Sequence, residues 1–267
     1  MSETPPATPK HSRQYDAFAA KFARRESSDD CFTPPNIYEA VVKWCEKKYG
    51  VDRAKIVRPF CPGGDFENFD YPTDCVVLDN PPFSILRKIV RWYSARRIKF
   101  FLFCQSLTAL CLIKCEDATL IAINTSVVYD NGAKVHTGFI HNLGDRSVLA
   151  EAAPDLAAVV KSLNEVNCKQ RKVSLRATKK RTLVYPPCLL QPSQLETLSA
   201  AGISFSLRRK DAVIVSSIGG HEIFGDGLLL SDAVADELAR ARAKLARMQE
   251  VRLTPAEQAL QKSLGKQ

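Results

Sequence analysis

The chain has 267 residues, with 38 Lys and Arg against 29 Asp and Glu, a formal net charge of +9. That length supports one substantial α/β domain with additions, and the basic balance favours a polyanionic partner. No apolar stretch reaches the ~18 residues that a membrane span needs, and Met1-Ser2-Glu3-Thr4-Pro5-Pro6 lacks the apolar centre of a signal peptide. Nine cysteines include no Cys-x-x-Cys pair, and Cys111-x3-Cys115 has no second pair at ligand spacing. Zinc is therefore not expected, and the thiols read as reduced residues of a cytoplasmic protein.

Taken in chain order, residues 1–28 begin polar and Pro/Ser-containing and read as a flexible segment. Asp29-Asp30-Cys31-Phe32-Thr33-Pro34-Pro35 leads into a helix over Tyr38 to Lys48, with Ile37, Val41, Val42 and Cys45 at helical spacing. Residues 55–58 form a short strand. The turn after it, Pro59-Phe60-Cys61-Pro62-Gly63-Gly64-Asp65, carries two glycines where backbone can approach a ligand closely.

A second strand, 75–79, ends in Asp79-Asn80-Pro81-Pro82-Phe83. The prolines stiffen the chain and hold Pro81 extended. One amide side chain and one aromatic face are left at the C-terminal end of a strand, where open α/β sheets bind ligands. The set suits a planar group bearing an NH2: acceptors for the amino protons and a ring to stack on.

Beyond it the pattern predicts a helix over Ile85 to Ala95 with Arg87, Lys88 and Arg91 on one face, a strand over Lys99 to Phe103, a short helix over Leu107 to Lys114 and a strand over Thr119 to Ile123. Val127-Val128-Tyr129 and Lys134 to Asn142 flank Asp130-Asn131-Gly132, a strong hairpin signal. His136 and His141 fall on opposite faces of that strand, because odd spacing switches sides.

In the second half a helix is predicted over Leu156 to Leu163. Lys169 to Arg181 then carries seven basic side chains and no acid: Lys169, Arg171, Lys172, Arg176, Lys179, Lys180 and Arg181. Such a run reads as phosphate contact or as a solvated linker. A helix over Ser193 to Ala201 follows. A hairpin of Ile203 to Leu207 with Ala212 to Val215 is expected around Arg208-Arg209-Lys210-Asp211. His221 to Gly227 offers a second, weaker glycine turn. Ser231 to about Glu250 reads as a charged helix, and Thr254 to Leu264 as a short terminal one.

Asn80-Pro81-Pro82-Phe83 resembles the Asn/Asp-Pro-Pro-Tyr/Phe motif of S-adenosylmethionine-dependent amino-group methyltransferases, the largest class of which modifies N6 of adenine in DNA. Ile56 to Glu67 is similar to the family's cofactor turn, and Phe32-Thr33-Pro34 to the Thr-Pro segment of phage adenine methyltransferases of the Dam kind. The three occur in family order. The resemblance implies a Rossmann-like methyltransferase fold of the α/β class: a doubly wound, mostly parallel sheet ending in an antiparallel hairpin. It divides the chain into a catalytic core over 29–150, a smaller basic α+β extension over 151–230 and charged helices over 231–267.

It further implies a catalytic segment of Asp79, Asn80, Pro81, Pro82 and Phe83, a cofactor site drawn from Thr33, Pro34, Pro59, Phe60, Gly63, Gly64 and Asp65, and double-stranded DNA as partner, with no metal. One departure stands out: Arg58 occupies the position where the family usually carries Asp. Other readings stay open. The motif also serves enzymes that methylate RNA or a protein glutamine. A circularly permuted enzyme would use Phe224 to Gly227 for the cofactor. A catalytically inactive DNA-binding protein on the same scaffold would account for Arg58.

Overall fold

The computed structural model describes residues 33–60, 65–114, 117–129, 132–170 and 186–249. Helix α1 spans Pro35–Tyr49, with prolines before and at its first position; a residue without an N–H costs nothing there, since the first amides of a helix have no internal partner. Gly50 ends it at φ 65°, a left-handed cap whose N–H donates to Glu46 O. Strands β1 (Ile56–Val57) and β2 (Val76–Asp79) follow, then α2 (Leu86–Ala95), β3 (Lys99–Gln105) and α3 (Ala109–Ile113). Next come β4 (Thr119–Val128), β5 (Lys134–His141), β6 (Val148–Ala152) and α4 (Pro154–Gln170). The remainder is β7 (Leu189–Leu190), α5 (Pro192–Ala200), β8 (Phe205–Arg208), β9 (Ala212–Ile218), β10 (His221–Leu230) and α6 (Asp232–Gln249).

The main sheet has seven strands in the order β1-β2-β3-β5-β4-β6-β8. β1, β2 and β3 pair in parallel, as do β4 and β6; β5 and β8 run against their neighbours. Five of the seven strands thus share one direction. Val77, Leu78 and Phe100 to Cys104 are fully buried, as continuous apolar runs in a sheet covered on both faces must be. On one face α1 and α4 pack through Ile37, Val41, Leu156 and Val160. On the other, Ile89 and Val90 of α2, Leu110 of α3, Leu195 of α5 and Leu238 of α6 form the second cluster. His136 and His141 point to these opposite faces: His136 reaches Glu196 of α5, and His141 reaches Tyr49 of α1.

Several expectations are corrected. The sheet is α/β with helices on both faces, but it is not doubly wound among the described residues. β1 is an edge strand, β2 and β3 follow it in order, and β5 returns between β3 and β4. Nor does the sheet end at the hairpin, since β6 and β8 extend it past β4. The expected boundary at residue 150 falls inside β6, and β8 completes the core sheet, so the 151–230 segment is built into the core. β4 runs on to Val128, past the expected end at Ile123. A register shift at Asn124, whose φ is 46°, absorbs the irregularity, and Asn tolerates that conformation.

The expected 203–215 hairpin does not form. β8 pairs with β6, the turn Arg209–Asp211 changes sheets, and β9 joins β10 and β7 in a three-stranded sheet. His221 to Gly227 belongs to strand β10 and is not a phosphate-cradling loop. Its irregularity lies between Glu222 and Gly227. There Gly225, at φ 76°, packs against the Leu107 carbonyl with no room for a Cβ.

Candidate functional site

β2 delivers Asp79 to the C-terminal edge of the sheet with 2% of its surface exposed. Its Oδ1 accepts from Arg58 Nε at 3.2 Å, Arg58 Nη2 at 3.1 Å and the Asn80 amide at 2.9 Å. Its Oδ2 accepts from the Phe60 amide at 3.0 Å. This carboxylate therefore ties the chain leaving β1 to the chain leaving β2, and its negative charge is met by a guanidinium. The Arg58 guanidinium also lies 4.0 Å from the centroid of the Tyr38 ring. Tyr38 Oη donates to the Leu78 carbonyl at 2.9 Å. Burial pushes the Tyr38 phenol up to about 12, against the pull of Arg58.

These bonds bring the first turn of α1, the end of β1 and the end of β2 to one edge. Thr33 and Pro34, just before α1, are buried there. Pro34 O accepts the amides of Ile37 and Tyr38. The Thr33 hydroxyl oxygen is buried without a hydrogen-bond partner among the described residues, a state that costs on the order of 1–3 kcal/mol unless something fills it.

Asn80 is half-buried, Pro81 buried, and Pro82 and Phe83 half-buried. Phe83 opens a single 3₁₀ turn to Ile85 that leads directly into α2. Its ring packs against both core clusters and stands edge-on to Tyr129, with centroids 6.5 Å apart at 76°.

On the cofactor side, Pro59 is buried and the Phe60 ring packs 5.7 Å from Phe66. Gly63 and Gly64 lie outside the described residues. Asp65 is exposed and occupied with its own turn, accepting from Asn68 Nδ2 at 2.7 Å and the Glu67 amide at 2.9 Å. Those donors hold its carboxyl below the usual range, Asn68 most strongly. Glu67 pairs with Lys88 at 2.9 Å. Asp65 is thus engaged in shaping the turn, and Tyr71 fastens the same segment to α2 through Phe66 O at 2.7 Å and Tyr93 Oη at 3.0 Å.

Of the basic run, Lys169 lies on the last turn of α4, and Arg171, Lys172, Arg176, Lys179, Lys180 and Arg181 lie outside the described residues. The helix end is nonetheless informative. Asn167 and Asn36 exchange amide hydrogen bonds at 2.8 and 3.0 Å, joining the end of α4 to the start of α1. The described end of α4 therefore lies beside the start of α1.

Sequence reasoning missed a buried cluster beyond the end of β3. Glu196 of α5, 1% exposed, accepts from the Ser106 hydroxyl on one oxygen and meets His136 Nε2 at 2.8 Å on the other. The one signal was an acid, Glu196, between the two core leucines Leu195 and Leu198. Its partners lie 60 and 90 residues away in sequence, beyond the reach of any spacing argument.

No protein-family model, curated protein or solved structure matches the chain. No group of three or more His, Cys, Asp and Glu able to hold a metal occurs among the described residues, and no described helix is long and apolar enough to cross a membrane.

Proposed function

We propose that the chain is a methyltransferase of Rossmann-like design that moves a methyl group from S-adenosylmethionine to the N6 amino group of adenine in DNA. The observation that carries this reading is the position of Asn80-Pro81-Pro82-Phe83. The motif directly follows a parallel strand, at the edge where α/β sheets take their ligands, with Thr33-Pro34 and Pro59-Phe60 drawn to the same edge.

S-adenosylmethionine would supply the electrophilic methyl group. The residue fit to hold it is Thr33, whose buried hydroxyl has no partner among the described residues, with Pro59 and Phe60 standing at the same edge. The Asn80 side-chain carbonyl and the Pro81 carbonyl accept hydrogen bonds from the target amine, turning its lone pair outward. Phe83 supports the flipped base by stacking. Such chemistry needs alignment and excluded water rather than a strong base. The basic side chains between Lys169 and Arg181 would supply phosphate contacts.

A second reading is favoured by one observation, the Arg58–Asp79 pair in the turn where the family carries an acid. It makes the chain a DNA-binding protein on a methyltransferase-like scaffold without turnover. Equilibrium dialysis with labelled S-adenosylmethionine, followed by a panel of duplex DNA, RNA and protein substrates, separates the readings. The proposal expects saturable cofactor binding and labelling of DNA. Absence of cofactor binding supports the scaffold reading, and labelling of RNA or protein alone rejects the DNA target.

A further inference from the structure

At the opposite edge of the main sheet lies a basic basin that the methyl-transfer reading does not use. It encloses about 850 Å³ and is lined by Arg91 of α2, Arg97 just after it, Lys114, Asp117, Arg146 between β5 and β6, and Arg209 after β8. Lys114 is already matched, donating to Ser216 Oγ at 2.7 Å and standing 3.7 Å from Asp226. Among the described residues, the lining carries the guanidiniums of Arg91, Arg97, Arg146 and Arg209 and one carboxylate, that of Asp117.

The basin is held in shape by backbone acceptors. Arg209 Nε donates to Arg146 O at 2.8 Å, Arg209 Nη2 donates to Ala118 O, and the Arg209 amide donates to Ser147 O at 2.8 Å. Asn142 fixes the floor, accepting from the Phe100 amide at 2.8 Å and donating to Ile98 O at 2.9 Å. Arg97 follows α2 at φ 57°, its amide bonded to Ser94 O at 3.1 Å. Neither Arg97 nor Arg146 has an ion-pair partner among the described residues.

We propose that this basin is a phosphate site, taking the phosphate chain of a nucleoside polyphosphate or consecutive phosphates of a nucleic-acid strand. Clustered like charges repel, and a ligand with several negative charges relieves that repulsion; a monocarboxylate would answer only one guanidinium. The planar fork of each arginine matches phosphate oxygens in pairs, and the volume falls within the ~300–1,000 Å³ of small-ligand pockets. The inference does not rest on methyl transfer, since the basin and Asn80 lie at opposite ends of the strands.

The test is calorimetric titration of the full chain with tripolyphosphate, repeated on Arg97→Gln, Arg146→Gln and the double variant. Both side chains are exposed, so melting temperatures should be unchanged. Tripolyphosphate should bind the parent chain, with affinity falling about tenfold per substitution, the scale of one hydrogen bond to a charged group. Competition identifies the source: duplex DNA displacing tripolyphosphate marks a backbone site, while displacement by ATP alone marks a free polyphosphate. No binding by the parent chain, or equal affinity in the double variant, overturns the proposal.

Discussion

Arg58 donates two hydrogen bonds to the carboxylate of Asp79, across the ends of two parallel strands, while its guanidinium lies over the Tyr38 ring. The pair is asymmetric: the Asp79 side chain is 3% exposed and that of Arg58 42%. Removing the arginine strands a buried charge, whereas removing the acid leaves an arginine that water can reach. Arg58→Ala should therefore destabilise the protein by about 3 kcal/mol, and Asp79→Asn by less, on the scale of broken buried pairs. Urea unfolding of both variants and the double variant checks the order. Equal losses would mean that the two backbone amides, rather than Arg58, hold Asp79.

Asn80 is half-buried and directly follows Asp79 at the end of β2. Asn80→Ala should lower methyl transfer at least ~10²-fold, the scale for losing one acceptor or donor aimed at the reacting group, while leaving the dissociation constant for S-adenosylmethionine within about twofold. Single-turnover kinetics and equilibrium dialysis read the two separately.

Phe83 carries both packing and stacking. Phe83→Leu keeps much of the apolar contact with the core but gives up the ring. The variant should weaken binding of DNA carrying an unpaired target base by about 1–3 kcal/mol, the range for base–aromatic stacking, and Phe83→Tyr should restore it. Fluorescence of 2-aminopurine at the target position reports the flipped state directly. Indifference to both substitutions would remove Phe83 from the site.

His141 makes stability pH-dependent. It is buried, its Nδ1 accepts the Leu143 amide at 3.1 Å, and its Nε2 meets Tyr49 Oη at 3.0 Å; Tyr49 in turn donates to Glu151 at 3.1 Å. The ring is therefore assigned as the neutral Nε2–H tautomer. Burial lowers its pKa to about 3 from the ordinary 6.5. Below 6.5 the unfolded chain takes up a proton that the folded chain refuses. Stability is thus full above that value and is lost as the pH falls towards 3. Denaturation midpoints should decline over this window in the parent chain and decline less in His141→Gln.

Much of this architecture is legible in the sequence. Asn131-Gly132 and the strands either side announced the β4–β5 hairpin, because few residues other than Gly and Asn accept positive φ. The odd spacing of His136 and His141 put them on opposite faces, and there they are. The strand before Asn80 was legible from its unbroken apolar run.

Pairing was not legible. Phe205 and Leu207 alternate as either a hairpin or a sheet-edge strand would, and only tertiary contact assigns β8 to β6 rather than β9. Asp79 was expected among the catalytic group, and its carboxylate bonds to Arg58 and to the amides of Phe60 and Asn80. The choice of Arg58 as partner could not be read from a spacing of 21 residues. The Asn36–Asn167 exchange, 131 residues apart, was equally hidden, although it fixes the end of α4 beside the start of α1.

The most direct measurement is transfer of labelled methyl from S-adenosylmethionine to unmethylated duplex DNA, with nucleoside analysis of the product, for the parent chain and Asn80→Ala side by side. The account predicts N6-methyladenine from the parent and none from the variant, with cofactor binding equal in both. Cofactor binding without any methylated base, or equal methylation by the two proteins, would contradict it.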